Sequence, residues 1–183
     1  MKTDILIVGS GCAGLYAALN LPSDKQITII TKDIVEHSDS FLAQGGMCML
    51  KSEDDYDSYF EDTMKAGHYE NPKSVEVMIR SSVDVVNDLV KYGADFHREP
   101  DGSFSYTKEG AHSHHRIIFH EDVTGKEITS TLLRNVEKLS NVTIYEHVTM
   151  VDILCKDNCC YGVVARDAEN KIFPIMANYT MLA

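Results

Sequence analysis

The 183-residue chain has no apolar run approaching the ~20 residues of a membrane span, so a membrane-embedded protein is not expected. It has no excess of positive charge: 17 Lys and Arg stand against 28 Asp and Glu, a formal net charge of −11. That balance argues against non-specific nucleic-acid binding and against an anionic membrane surface. The N-terminus lacks a signal-peptide layout, because the apolar stretch Ile5–Val8 is too short and leads straight into glycines. Five cysteines are an odd count, and without a secretory signal they read as free thiols in a reducing cytoplasmic setting. There is no internal repeat and no low-complexity segment. Apolar content is ordinary, so disorder is not expected, and the length suits one sizeable domain with a real core.

What is present begins at Asp4-Ile5-Leu6-Ile7-Val8-Gly9-Ser10-Gly11-Cys12-Ala13-Gly14-Leu15. A short apolar run reads as a buried strand, and Leu15–Leu21 reads as a helix. Between them stands Gly-x-Gly-x-x-Gly, in the order strand, glycine turn, helix that gives this motif its meaning. Gly9 permits a tight turn, Gly11 lets the backbone approach a pyrophosphate, and Gly14 lets helix and strand pack closely. The helix N-terminus then offers free N–H groups to phosphate oxygens. Gln26–Thr31 reads as the second strand. In the simplest dinucleotide pattern an acid near its end holds a ribose hydroxyl; here Lys32 stands there and Asp33 comes one place late. Lys32 suits either the 2′-phosphate of NADP or a ribose in a flavin enzyme.

Ser38–Met47 reads as a loop of small and polar residues ending in a glycine pair, a composition that cradles anions or flat rings. Asp54–Gly67 has Tyr56, Tyr59, Phe60 and Met64 at helical spacing. Pro72–Gly93 is the longest helical pattern. Asn71 is its N-cap, Pro72 its first residue, Gly93 its stop, and Val75, Met78, Ile79, Val83, Val86, Leu89 and Val90 its stripe. Asp95–Thr107 is turn-rich. Thr107–His120 gathers Glu109, His112, His114, His115 and Arg116. It reads as a metal site, an active-site loop or a polar surface loop; nothing nearby completes a tetrahedral ligand set. A helix runs from Asp122 or Thr124 to about Leu139. The remainder is β-rich: Val142–Tyr145, His147–Cys155, Cys160–Asp167, Lys171–Met176 and Asn178–Leu182, with turns at Asp157-Asn158 and Glu169-Asn170, so that Val148–Met176 forms a β-meander. Cys155, Cys159 and Cys160 fit no common zinc or iron–sulfur spacing. The last residues form a buried-strand pattern, which reads as a fragment. The fold class is α/β: a Rossmann-like, glutathione-reductase-type domain with a β-meander, incomplete at its C-terminus.

The residues resemble the L-aspartate oxidase family, flavoenzymes of bacterial NAD biosynthesis related to the flavoprotein subunits of succinate dehydrogenase and fumarate reductase. The resemblance covers the whole chain. Val8–Gly14 and Ala43-Gln44-Gly45-Gly46 are shared across the superfamily. Thr107-Lys108-Glu109-Gly110-Ala111-His112-Ser113, then Arg116-Ile117, His120 and Asp122-x-Thr124-Gly125, are closer to the aspartate oxidases, although the segment between His120 and Asp122 is one residue short of the usual pattern. The resemblance implies an FAD-binding domain over residues 1–183, without the capping and C-terminal helical domains. It implies that Gly9, Ser10, Gly11, Cys12, Ala13 and Gly14 line the FAD pyrophosphate and that Lys32 meets the adenosine ribose. Asp39, Ser40, Phe41, Leu42, Ala43, Gln44, Gly45 and Gly46 would wrap the pyrophosphate and isoalloxazine. FAD would be non-covalent, because Asp39 stands where the membrane dehydrogenases carry the flavin-linked histidine, and His37 is off register. Glu109 would orient the substrate amino group, with His112 and Ser113 near the ring and the substrate; no metal is implied. The implied reaction takes L-aspartate to iminoaspartate, with oxygen or fumarate as acceptor and cooperation with quinolinate synthase. The arginines and histidines that clamp the substrate carboxylates are expected beyond residue 183, so the fragment is expected to be inactive alone and to retain FAD weakly. A fumarate-reductase-like or succinate-dehydrogenase-like flavoprotein, and a non-catalytic truncated flavin module, are the alternatives.

Overall fold

The computed structural model describes residues 1–67 and 69–183. In chain order the elements are β1 (Lys2–Val8), α1 (Cys12–Asn20), β2 (Ile27–Ile30), α2 (Asp39–Leu42), β3 (Met47–Cys48), α3 (Tyr56–Ala66), α4 (Pro72–Tyr92), β4 (Ile117–Ile118), α5 (Thr124–Val136), β5 (Val142–Tyr145), β6 (Thr149–Lys156), β7 (Cys159–Arg166) and β8 (Ile172–Leu182). The chain divides into two units, one of residues 1–42 and 128–183 and one of residues 43–127.

The first unit is built on a six-stranded sheet in the order β5-β2-β1-β8-β7-β6. Its β5, β2, β1 and β8 run parallel, while β8, β7 and β6 form the antiparallel meander. All four residues of β2 are buried, as expected for an unbroken apolar run in the middle of a parallel sheet. Leu6, Ile30, Val148, Val163, Ala165, Ile175 and Ala177 form its core. The turn between β6 and β7 puts Asp157 at φ 51° and Asn158 at φ 60°, a conformation that Asp and Asn tolerate and that matches the twist of the flanking strands.

Three sequence expectations change here. Helix α1 starts at Cys12 rather than Leu15, so Gly14 lies inside it. The expected strands Lys171–Met176 and Asn178–Leu182 are one strand: β8 pairs with β7 through Ile172–Met176 and then with β1 through Met176–Leu182. The Ser38–Met47 stretch is loop only in part, because the Ser38 carbonyl accepts the Phe41 and Leu42 N–H groups and starts α2.

The second unit packs α3 and α4 with the short β3–β4 ladder. Asn71 caps α4 by accepting from the Lys73 and Ser74 N–H groups, and Gly93 ends it at φ 100°. The buried stripe is Val75, Ile79, Ser82, Val86 and Leu89. Met78, expected in that stripe, is exposed, and Ser82 takes a core place instead. Its hydroxyl donates to the Ile79 carbonyl and accepts the Leu50 N–H, which removes the cost of burying it. The meeting of α3 and α4 is sealed by Leu50, Tyr59, Val75 and Ile79.

Candidate functional site

In the first unit, β1 turns into α1 through Gly9-Ser10-Gly11. Gly9 sits at φ +116°, open to glycine alone at little cost, and its N–H donates to the Ile30 carbonyl. Gly11 caps α1 with no side chain of its own over the first-turn N–H groups. The Cys12 N–H donates to the Ser40 hydroxyl at 3.1 Å, and a Cβ on Gly11 would stand 2.9 Å from that same oxygen. A cavity of about 480 Å³ opens at this turn, lined by Gly9, Ser10, Gly11, Ala13, Lys32, Asp39 and Ser40 among others. Val148, Thr149 and Met150 form another part of its wall.

Ser10 gives a direct test of what fits there. Its hydroxyl is buried in the turn and has no hydrogen-bond partner. Such a group is costly unless a ligand pairs with it, and it stands beside the positive end of a helix. A diphosphate oxygen meets both needs. Of the other expected contacts, Gly14 packs the helix onto the Gly9 carbonyl and lies behind the turn. Phe41 is half-buried in α2, and Leu42 is exposed.

Ala43, Gln44, Gly45 and Gly46 belong to the second unit. Gly46 lies flat on β4, where any Cβ would strike Ile117 and the Ile118 carbonyl. The Glu109 carboxylate oxygens lie 3.5 Å from where a Cβ of Gly45 would be. Glu109 is exposed, on a loop closed at its base by paired hydrogen bonds between Thr107 and Ile117. Its carbonyl accepts the His112 N–H, and Ala111 takes φ 70° in the same turn. Backbone strain of this kind at a non-glycine residue is often held at functional loops.

His112 turns towards the protein rather than outward from the loop, and Ser113, though exposed, is tied to α3. His112 Nε2 lies 3.7 Å from Cys48 Sγ, and its Nδ1 is buried without a partner. Burial pushes the Cys48 thiol up, so it is not a ready thiolate. The Ser113 N–H and hydroxyl both donate to Asp62 Oδ2 at 2.7 Å. His114 Nδ1 turns to the Ser58 hydroxyl at 2.9 Å and to Asp55 at 3.4 Å. The histidines thus take different partners, and no group of three or more His, Cys, Asp or Glu able to hold a metal occurs among the described residues.

Beneath this loop lies Arg116, with no exposed surface. Its Nε and Nη2 donate to the two oxygens of Asp55 at 3.0 and 2.8 Å. Nη1 donates to Asp62, and Nη2 also donates to the Ser58 hydroxyl at 2.8 Å. Its guanidinium carbon stands 4.9 Å from the Tyr59 ring centroid. Burial pushes the Asp55 carboxyl up, but the Arg116 and Ser58 hydrogen bonds outweigh it and hold the group below the usual carboxylate range. Burial acts the same way on Asp62, and the Ser113 N–H and Arg116 overcome it by more. In the sequence Asp55 reads as an ordinary acid at a helix start and Asp62 as an ordinary acid within that helix.

This network has a pH consequence. Both carboxyls are lowered, so their stabilisation is complete above the unfolded value of ~3.9 and is lost as pH falls through the lower folded values. Urea midpoints for the second unit, followed by hydrogen exchange in residues 43–127, are expected to drop below about pH 4. Asp62→Asn should start lower and lose less on acidification. Equal pH dependence in the two proteins would remove Asp62 from this account.

The parallel strands, the glycine turn and the unpaired serine beside the 480 Å³ cavity define a dinucleotide-binding α/β domain. The model of the family described as "FAD binding domain" matches residues 4–183, and the chain belongs to that family. FAD is its cofactor. Among curated proteins it is similar to L-aspartate oxidase of Clostridium perfringens, 46% identical over 98% of this chain and 41% of that protein. It is also similar to L-aspartate oxidase of Clostridium acetobutylicum, 38% identical over 100% of this chain and 42% of that protein. It spans less than half the length of either relative. Among solved structures it resembles E. coli quinol fumarate reductase FrdA, with a TM-score of 0.91 and 26% identity over 100% of this chain and 32% of that one. No helix among the described residues is long and apolar enough to cross a membrane.

Proposed function

We propose that this chain supplies the FAD-binding part of an L-aspartate oxidase, which converts L-aspartate to iminoaspartate for quinolinate and NAD synthesis in the cytoplasm. The observation that carries this reading is the exposed Glu109 carboxylate lying beside Gly45. The 46% identity to the C. perfringens enzyme supports it.

In this reading Ser10, Gly11, Ala13 and Ser40 hold the pyrophosphate and Lys32 the adenosine ribose. The cofactor is non-covalent: Asp39 offers no ring nitrogen for a flavin bond, and His37 Nδ1 is engaged by Asp33 at 2.9 Å. Bound FAD supplies the two-electron acceptor for the hydride of the substrate Cα–H. Glu109 accepts a charge-assisted hydrogen bond from the substrate ammonium and so fixes the direction of Cα. The ammonium must first give up a proton to free a lone pair, which forms the C=N bond as hydrogen leaves Cα with the bonding electron pair. In this reading Glu109 takes that proton. Ser113, tied to Asp62, acts by holding the loop, and His112 by seating it on Cys48. Oxygen or fumarate is the final acceptor, and quinolinate synthase is the consumer of iminoaspartate.

The test uses a chimera in which these residues replace the corresponding part of the C. perfringens relative. L-Aspartate added without oxygen should bleach the flavin's visible band, and succinate should not. Bleaching by succinate instead would favour the second reading, a fumarate-reductase-like flavoprotein, which the 0.91 TM-score to the E. coli enzyme supports. Glu109→Gln should lower kcat/KM for aspartate roughly tenfold to a hundredfold with FAD retained, the loss expected of one hydrogen bond to a charged group. The 183 residues alone, spanning 41% of that relative, are expected to show no turnover. Aspartate-dependent peroxide from the purified chain would contradict this.

A further inference from the structure

The β6–β7 hairpin carries three exposed cysteines at its tip, Cys155, Cys159 and Cys160, all free. The sequence alone leaves their pairing open. The ladder does not: Lys156 stands opposite Cys159, and Cys155 stands opposite Cys160. Successive residues of a strand face opposite sides, so Cys159 points away from Cys160 and from its cross-strand neighbour Cys155. The turn between the strands has only two residues, Asp157 and Asn158, both at positive φ. In such a hairpin the pair flanking the turn is the hydrogen-bonded one, which makes the next pair non-hydrogen-bonded. Cα atoms in that kind of pair lie about 4.5 Å apart with their side chains close on one face. Disulfides span Cα separations of about 4.4–6.8 Å. A shift of register follows at once, between Leu154 and Cys155, and among the three cysteines Cys155 and Cys160 are the two that stand opposite each other. Cys160 Sγ lies 3.6 Å from the Gly162 carbonyl of its own strand.

We propose that Cys155 and Cys160 form a thiol modification site, oxidised by a peroxide to a cross-strand disulfide that staples the hairpin and leaves Cys159 free. One thiolate attacks a peroxide oxygen; the O–O bond breaks, the sulfur becomes a sulfenic acid, and the other oxygen leaves as water after protonation. The opposed thiolate then attacks that sulfur. The S–S bond forms, the S–O bond breaks, and a second water leaves. Two thiols are oxidised by two electrons and one hydrogen peroxide is reduced to two waters. The proposal does not depend on the substrate assigned above.

Trypsin places the partners on different peptides, residues 139–156 holding Cys155 and residues 157–166 holding Cys159 and Cys160. The purified 183-residue chain, dilute and treated with hydrogen peroxide, should lose two of its five thiols and yield these two peptides joined, released by reductant. Cys159→Ser should keep the link. Cys155→Ser and Cys160→Ser should each abolish it and leave a sulfenic or more oxidised cysteine. A link that survives Cys160→Ser, a link lost in Cys159→Ser, or Cys155 driven to sulfinic acid in the unaltered chain without any link would each overturn the proposal. All three side chains are exposed, so serine in their place does not threaten the fold.

Discussion

Arg116→Met is expected to cost the second unit about 3–5 kcal/mol, because removing one partner of a buried ion pair strands the other charges. Against a typical total of about 5–15 kcal/mol for a domain, that is a large share. The reasoning follows the donors. Arg116 donates through Nε, Nη1 and Nη2, with both Asp55 oxygens, Asp62 and Ser58 accepting. Asp55 is 9% and Asp62 16% exposed at the side chain, so water replaces the lost partners poorly. Lys in place of Arg keeps a charge but lacks the planar fork and should hold one carboxylate at most. The triple change Arg116→Met with Asp55→Asn and Asp62→Asn should recover part of the loss, since no unpaired charge is left buried. Hydrogen exchange across residues 43–127 reads the effect region by region, which a single melting temperature cannot do in a two-unit chain. Unchanged exchange in Arg116→Met would refute the buried-charge account. A functional echo should follow, because Asp62 joins Arg116 to Ser113 four residues from Glu109.

The contrast between this network and the glycine turn shows what a sequence makes legible. The turn from Gly9 to Gly14 is local, and its residue types state the backbone they need: Gly9 at φ +116° and Gly14 packed on the Gly9 carbonyl follow from steric rules over six positions. The same holds for Asn71, Pro72 and Gly93 at the ends of α4, and for Asp157-Asn158. Arg116 and its carboxylates are separated by 61 and 54 positions, and no periodicity announces that they meet. An acid beside a helix start, such as Asp55, already satisfies the dipole, and an acid within a helix, such as Asp62, reads as a solvated side chain, so nothing in either asked for a buried partner. His112 and Ser113 were legible as a loop of chemical interest, but not as side chains turned back onto Cys48 and Asp62. The single strand β8 read as two because its partner changes at Met176 from β7 to β1, and its burial pattern changes with the partner.

Gly14→Val should remove FAD binding, with a loss of affinity of at least ~100-fold, about 3 kcal/mol. Gly14 is buried inside α1, and a Cβ there would drive into the Gly9 carbonyl oxygen and lie 3.2 Å from Ile7 Cγ2. The first of these is backbone and cannot rotate away. Relief requires the N-terminal turn of α1 to lift from β1, and that turn, with Ser10, Gly11 and Ala13, lines the 480 Å³ cavity. Overpacking alone costs about 1–3 kcal/mol, and displacing the anion-binding turn adds to it. Gly11→Ala offers a graded comparison: its Cβ would meet only the Ser40 hydroxyl, at 2.9 Å, which can turn aside at the expense of the Cys12 N–H bond. That change should weaken FAD by roughly tenfold, the worth of about one hydrogen bond. Gly110→Ala, with nothing within 4 Å of the added atom, is the control and should bind as the parent does. Fluorescence titration with FAD in the same chimera, with circular dichroism to confirm folding, orders the three. An affinity of Gly14→Val equal to that of Gly110→Ala would mean that close packing of helix on strand is not what positions the phosphate site. The milder Gly11→Ala keeps the argument testable even where the valine variant folds poorly, because its effect runs through one rotatable hydroxyl rather than through the helix.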